Sequence, residues 1–284
     1  MRSTHAKPTN NHWGQAVTVF ETSSGTPYYF NFHKADLGNF TVIGPSGSGK
    51  TVTALSLLRL VLNADTTGQA LFGGRDLLAL SERELRGVRG SEIAMIFQEP
   101  VASLNPCFTV GFQIEEVLKI HTDLDKKARL ARAIELFDAV GIPNPAERLG
   151  HFPHQMSGGQ CQRVMIATAL ACNPKLLIAD EPTTALDVTI QKQILDLLMK
   201  LQAETGMGLI MITHDMGVVA ETADRVIVQY KGKKLEEADV LSLFESPKSA
   251  YTQALLSALP ENATGDRLTT VSDFLAAAET GGAA

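Results

Sequence analysis

The order of apolar and polar positions divides the chain into segments of different periodicity. Val17–Glu21 alternates, Ser23-Ser24-Gly25-Thr26-Pro27 carries turn chemistry, and Tyr28–Phe32 alternates again, which predicts a β-hairpin. Three runs, Phe40–Ile43, Leu176–Ala179 and Leu209–Ile212, are short and uninterrupted. Strands of that kind belong in a parallel sheet covered by helices on both faces. Val52, Leu55, Leu58 and Leu62 recur at helical spacing, and Ile190, Ile194, Leu197 and Leu201 mark an amphipathic helix beginning near Asp187. The repeated strand–helix–strand order predicts an α/β core. Residues about 90–160 differ: Lys126–Val140 is an amphipathic helix stopped by Gly141 and Pro143, with strand character only around Ile93–Phe97. This stretch is expected to be a mainly helical insertion. Residues 1–13 read as a disordered leader and 261–284 as a flexible Ala/Thr/Gly tail.

Length and charge narrow the picture. A chain of 284 residues can bury a proper core. It is 44% hydrophobic and 20% charged, as globular proteins are. The net charge is −6 and no basic block stands out, which argues against nucleic acid as a partner. Cys107, Cys161 and Cys172 are odd in number and lack CxxC spacing, so a disulfide framework or zinc site is not expected and a reducing cytoplasm fits. Met1–Trp13 lacks the apolar core of a signal peptide. The apolar stretch Val52–Leu62 is about half the ~20 residues of a membrane helix and is broken by Arg59. Work at a membrane would be done from one side.

The chemistry is concentrated in a few places. Gly44-Pro45-Ser46-Gly47-Ser48-Gly49-Lys50-Thr51 fits GxxxxGK[ST] between an apolar strand and a helix. Its glycines let backbone N–H groups turn toward phosphate oxygens, and the helix adds its positive end. Lys50 is expected to reach the β- and γ-phosphates of ATP, and the Thr51 hydroxyl to ligate Mg²⁺. The run Leu176–Ala179 ends in Asp180 and Glu181. Asp180 would lie beside the metal, and Glu181 could polarise the attacking water as general base. Ser157-Gly158-Gly159-Gln160 precedes a helical run through Val164, Ala167 and Leu170. Taken alone it reads equally as a capped turn or as a loop with open N–H groups at a helix start.

Together these segments resemble the ATPases of ABC transporters. Ser157–Gln160, followed by Gln162-Arg163, is similar to the family's signature loop; Gln98 in Met95-Ile96-Phe97-Gln98 to its Q-loop; Ala185-Leu186-Asp187 to its D-loop; and His214 in Ile212–Asp215 to its switch histidine. More narrowly, Glu92–Pro106, Asp180–Leu195 and Ala250–Pro260 resemble the oligopeptide, dipeptide and nickel importer group. The resemblance implies a P-loop NTPase with a RecA-like parallel-sheet core, an N-terminal antiparallel β region and an inserted helical subdomain, within a nucleotide-binding domain spanning about 14–260. It also implies a head-to-tail sandwich of two ATPase subunits, ATP lying between one phosphate loop and the partner's signature loop. Gln98 would sense Mg²⁺ and couple to two membrane permeases, while an extracellular or periplasmic binding protein delivers the solute. The chain would be peripheral, on the cytoplasmic face of the membrane.

Some positions depart from that group. Cys161 stands where Arg or Lys is usual and Met156 where Leu is usual, and small effects are expected. The cysteine cluster often found after the Leu-Pro at 259–260 is absent, so no iron–sulfur site is expected. Ala16–Lys50 instead resembles the ATPases of type IV secretion and conjugation, as if two P-loop families were joined near residues 44–53. That leaves open a secretion-type motor, or a joined chain impaired at the adenine end. An ABC protein working on nucleic acid or ribosomes is a further class, disfavoured by the acidic balance. Tyr28 or Tyr29 could stack on the base or fill the hairpin core.

Overall fold

The three uninterrupted apolar runs become neighbouring strands. In the computed structural model, which describes residues 18–21, 27–30, 39–45, 47–61, 64–184 and 186–259, the strands are β1 (Thr18–Glu21), β2 (Pro27–Phe30), β3 (Asn39–Ile43), β4 (Gly68–Phe72), β5 (Arg75–Asp76), β6 (Ile93–Ile96), β7 (Leu176–Asp180), β8 (Gly208–Thr213), β9 (Arg225–Tyr230) and β10 (Lys233–Asp239). A six-stranded sheet runs β10-β9-β3-β8-β7-β6 and a four-stranded sheet β2-β1-β4-β5. Strands β9, β3, β8, β7 and β6 are mutually parallel, while β10 pairs antiparallel with β9. The predicted hairpin is present: Thr18 faces Phe30 and Glu21 faces Pro27 across the β1–β2 ladder. Strand β1 also pairs with β4, so the hairpin continues the antiparallel sheet.

The helices are α1 (Lys50–Leu57), α2 (Glu82–Val88), α3 (Pro100–Ser103), α4 (Val110–His121), α5 (Lys126–Ala139), α6 (Pro145–Arg148), α7 (Gly158–Ala169), α8 (Val188–Thr205), α9 (Met216–Thr222), α10 (Val240–Glu245) and α11 (Ala250–Ser257). Two that the pattern located start at carboxylate caps. Asp125 accepts from Ala128 N at the head of α5, and Asp187 accepts from Ile190 N at the head of α8. Between β6 and β7 the chain is helical, as expected for residues about 90–160.

Alternation along each strand explains why the runs are apolar throughout. Leu177, Ala179, Leu209 and Met211 point into a core shared with α4, α5, α7 and α8. Leu176, Ile178, Ile210 and Ile212 point to the opposite core, which contains Ala54 and Leu57 of α1, Ala70 and Phe72 of β4, and Leu85 of α2. A third cluster packs Val226 and Val228 of β9 against α9, α10 and α11. Both sheet faces are thus removed from water, the condition that licenses near-continuous apolar strands.

Helix α1 does not bury the face that its apolar spacing predicts. Lys50, Ala54 and Leu57 are buried, whereas Val52 is 53% exposed. Lys50 opens the helix and turns into the site, so the i, i+4, i+7 stripe from that residue faces inward, and Val52 lies about 200° around the axis. Leu58 is still buried, but as the cap beyond the last turn, and Arg59 (φ 51°) ends the run. Leu62 lies outside the described residues, as do the proposed leader and tail.

Candidate functional site

The phosphate-loop motif joins the carboxyl end of β3 to α1, at the centre of the parallel sheet. A Cβ on Gly44 would lie 2.2 Å from the Gln229 carbonyl oxygen of β9, so no side chain fits there. Gly47 and Gly49 adopt φ of 79° and 92°, conformations that glycine reaches without steric cost. Ser48 donates its N–H to Pro45 O at 3.0 Å, and its buried hydroxyl has no hydrogen-bond partner among the described residues. Ser46 lies outside the described residues.

Strand β7 ends beside this loop. Thr51 Oγ1 donates to Asp180 Oδ1 at 3.1 Å, and Lys50 Nζ donates to Gly44 O at 2.6 Å and to Glu181 Oε1 at 3.1 Å. Lys50, Asp180 and Glu181 are all buried. Glu181 has φ 46°, a left-handed conformation that costs a non-glycine residue roughly 1–2 kcal/mol. The turn is held by Glu181 N–H donating to Ile212 O and by Thr184 N–H donating to Glu181 O. Gln98 Nε2 and Thr184 Oγ1 each donate to Glu181 Oε2 at 2.9 Å. His214 Nδ1 lies 3.2 Å from Glu181 Oε1, with its ring 55% exposed.

Two adjacent carboxyls are tuned in opposite directions. Burial pushes the Asp180 carboxyl above its ordinary value, and the Glu181 charge adds to this against the Thr51 hydroxyl and Lys50. Burial also pushes the Glu181 carboxyl up, but hydrogen bonds from Lys50 and Thr184 and the Lys50 charge outweigh it and hold the group low. The Lys50 and Thr184 contacts thus favour the ionised form of Glu181, whereas burial disfavours that of Asp180.

Lys50, Thr51, Gln98, Asp180, Glu181 and His214 thus meet in one cluster, although they come from four separate stretches of sequence. Ser157–Gln160 and Asp187 form no hydrogen bond to it. Ser157 caps α7, its hydroxyl accepting from Gln160 N while Gln160 Oε1 accepts from Ser157 N, and Ser157 and Gly158 are exposed. Asp187 is likewise an exposed helix cap. Helix α7 is nevertheless tied to the Glu181 turn, because buried Gln162 donates to Pro182 O at 2.7 Å. Cys161 is fully buried with its thiol toward Pro153 O, and Met156 packs on the same core. Neither side chain joins the cluster around Glu181. Ala185 lies outside the described residues, and so do the side chains of Tyr28 and Tyr29.

Thr184 and Gln229 were not singled out from the sequence. Thr184 sits in the Glu181-Pro182-Thr183-Thr184 turn, where a hydroxyl three residues after a carboxylate is a common local partner. Gln229 directly follows the apolar run Val226–Val228 and carries no motif.

A glycine-rich loop entering a helix at the head of a parallel strand, with Asp-Glu ending a neighbouring strand beside it, defines a P-loop nucleotide-binding protein. The chain matches the ABC transporter family over residues 32–184. It is 54% identical over 225 residues to the dipeptide transport ATP-binding protein DppD of Escherichia coli, spanning 78% of this chain and 68% of that one. DppD of Haemophilus influenzae is also 54% identical, over 89% of this chain and 76% of its own length. The dimeric, post-hydrolysis structure of the ATP-binding cassette MJ0796 bound to ADP and Pi superposes with a TM-score of 0.67 at 29% identity, covering 80% of this chain and 97% of that one. The chain belongs to the ABC transporter family and has its ATPase cassette fold.

The similarity of Ala16–Lys50 to secretion and conjugation ATPases is not supported. The ABC transporter match already begins at residue 32, inside that segment, and β3 from the same segment is an interior strand of the cassette sheet. A chain joined from two families loses its basis with it. Among the described residues, no helix is long and apolar enough to cross a membrane.

Proposed function

We propose that the chain is the ATP-hydrolysing subunit of an importer for peptides or related small solutes, working peripherally on the cytoplasmic face of the membrane. The convergence of Lys50, Gln98, Thr184 and His214 on the single carboxylate of Glu181 carries the ATPase reading. The 54% identity to dipeptide transport ATP-binding proteins supports the solute class. The solute itself would meet permease partners and a binding protein rather than this chain.

Phosphoryl transfer asks a protein mainly for positioning and charge stabilisation. Lys50 and the loop N–H groups would gather the triphosphate charge. A triphosphate competes with Glu181 for the Lys50 ammonium, so substrate arrival would release the carboxylate toward the attacking water. Glu181 then accepts the proton, and His214, on the open side, orients the reacting groups. The donor set fits Mg²⁺: the Thr51 hydroxyl and Asp180 carboxylate are hard oxygens hydrogen-bonded to one another, and Gln98 offers an amide oxygen. When bound, Mg²⁺ would supply charge neutralisation between phosphate oxygens. Ser157–Gln160, exposed at Ser157 and Gly158, and exposed Asp187 would face the nucleotide of a second ATPase subunit, identical or related, in a head-to-tail dimer.

Uptake of a labelled dipeptide by the host tests the reading. Deleting the chain should abolish uptake, and restoring it intact, but not as Lys50→Ala, should recover it. Undiminished dipeptide uptake after deletion would overturn the solute class.

A further inference from the structure

One buried residue outside the cluster touches both ends of the phosphate loop, by its backbone at one end and its side chain at the other. Gln229, in β9, is only 3% exposed. Its backbone carbonyl oxygen packs against Gly44 so closely that a Cβ there would lie at 2.2 Å. Its amide Nε2 donates to Thr53 Oγ1 at 3.1 Å, and Thr53 Oγ1 donates to Gly49 O at 2.9 Å. A Cβ on Gly49 would lie 3.3 Å from the same Nε2. Beyond Gln229, Gly232 N–H in the β9–β10 turn donates to Ser48 O at 2.9 Å. The first and last glycines of the loop are therefore both referenced to one residue of the neighbouring strand.

We propose that Gln229 is a positioning residue for phosphate binding, acting through Thr53 on the Gly49–Lys50 peptide. The physical link is the planarity of that peptide. Gly49 C=O and Lys50 N–H belong to one rigid trans unit and point in opposite directions. Fixing the carbonyl toward Thr53, which also donates its own N–H to it at 2.8 Å, aims the Lys50 N–H into the loop. The Thr53 hydroxyl has one proton and two lone pairs, so it donates to Gly49 O while accepting from the Gln229 amide, which holds its orientation. Such chains of hydrogen bonds polarise and strengthen one another. A purely apolar residue at 229 would still fill the space beside α1 but would leave the hydroxyl free to rotate. This role rests on the P-loop reading above, and it concerns binding rather than the hydrolytic step.

The test is ATP affinity of the purified full-length chain with Mg²⁺, measured by calorimetry, beside its thermal midpoint without nucleotide. Gln229→Met keeps length and volume, Thr53→Val keeps shape, and Thr53→Ser keeps the hydroxyl. Gln229→Met and Thr53→Val should each raise Kd about fivefold, the scale of one net hydrogen bond. Thr53→Ser should bind within about twofold of the parent. The double variant should match Thr53→Val alone, because both changes break the same relay. Unchanged affinity in Gln229→Met, independent multiplication of the two effects, or loss of affinity only in step with a lowered thermal midpoint would overturn the role. Lys50→Ala is the reference: if it binds ATP as well as the parent, the P-loop reading fails, whereas a collapse of binding there with no effect at Gln229 removes this inference alone.

Discussion

The Gln98 amide nitrogen lies 2.9 Å from Oε2 of Glu181, joining the end of β6 to the end of β7 across 83 positions of sequence. The other oxygen of the same carboxylate meets Lys50 and His214. One group thus senses the phosphate loop, the entry to the helical insertion and the open side of the site together.

Gln98→Ala should separate binding from turnover. With Mg²⁺ chelated, ATP affinity of the chain is expected to change less than about twofold, while hydrolysis with Mg²⁺ falls roughly tenfold, the worth of one charge-assisted hydrogen bond. Equal losses in affinity and turnover would show that Gln98 serves nucleotide binding instead.

Two of the three loop glycines are needed for different reasons, which substitution can tell apart. Gly44→Ala forces a methyl group into the Gln229 carbonyl and should abolish ATP binding, because backbone on both sides must move. Gly47→Ala meets open space, so its cost is the left-handed φ alone, roughly 1–2 kcal/mol. Thermal midpoints and ATP titrations of both variants check the order.

Asp180→Asn should weaken ATP binding about 10–100-fold with Mg²⁺, the range seen when partners of metal ligands are removed. With Mg²⁺ chelated, parent and variant should bind alike. A deficit that persists without the ion would assign Asp180 to bracing Thr51 rather than to the metal.

The C-terminal helix provides a pH prediction. Glu236 is buried in β10, and its two carboxylate oxygens accept from the N–H groups of Lys248 and Ser249 at the head of α11. Burial pushes its carboxyl up, yet the hydrogen bonds win and the folded value lies below the ordinary one. A depressed carboxylate contributes stability that is complete above its unfolded value, near 4.3, and is lost as pH falls through the folded value. Glu236→Gln should therefore lower the thermal midpoint at pH 7, by an amount corresponding to about 1 kcal/mol for a lost cap. The gap to the parent should close in acid; a constant gap would contradict the linkage.

Much of this arrangement was legible in the sequence because burial on both sheet faces leaves a plain mark. Leu176–Ala179 and Leu209–Ile212 read as strands of a covered parallel sheet, and the amphipathic spacing located the helices that begin at Lys126 and near Asp187. The loop motif located Lys50 and Thr51, and the strand end located Asp180 and Glu181. Periodicity failed on α1, where the inward Lys50, a polar residue, sets the buried face and leaves Val52 outside. It was silent on Gln229 because a buried glutamine has no pattern: its value depends on which loop the neighbouring strand abuts. The N-terminal segment misled in another way, since short strands leading into a phosphate loop look alike across P-loop families.

The central claim is that Glu181 takes the proton from the attacking water. Glu181→Gln keeps the size of the side chain but removes the charge and the proton acceptor. ATP turnover with Mg²⁺, measured beside ATP affinity and oligomeric state, is the direct test. Turnover should fall by at least about 100-fold, the lower end for loss of a general base, while ATP still binds and a nucleotide-bound dimer accumulates. Turnover at the parent rate in that variant would contradict the account.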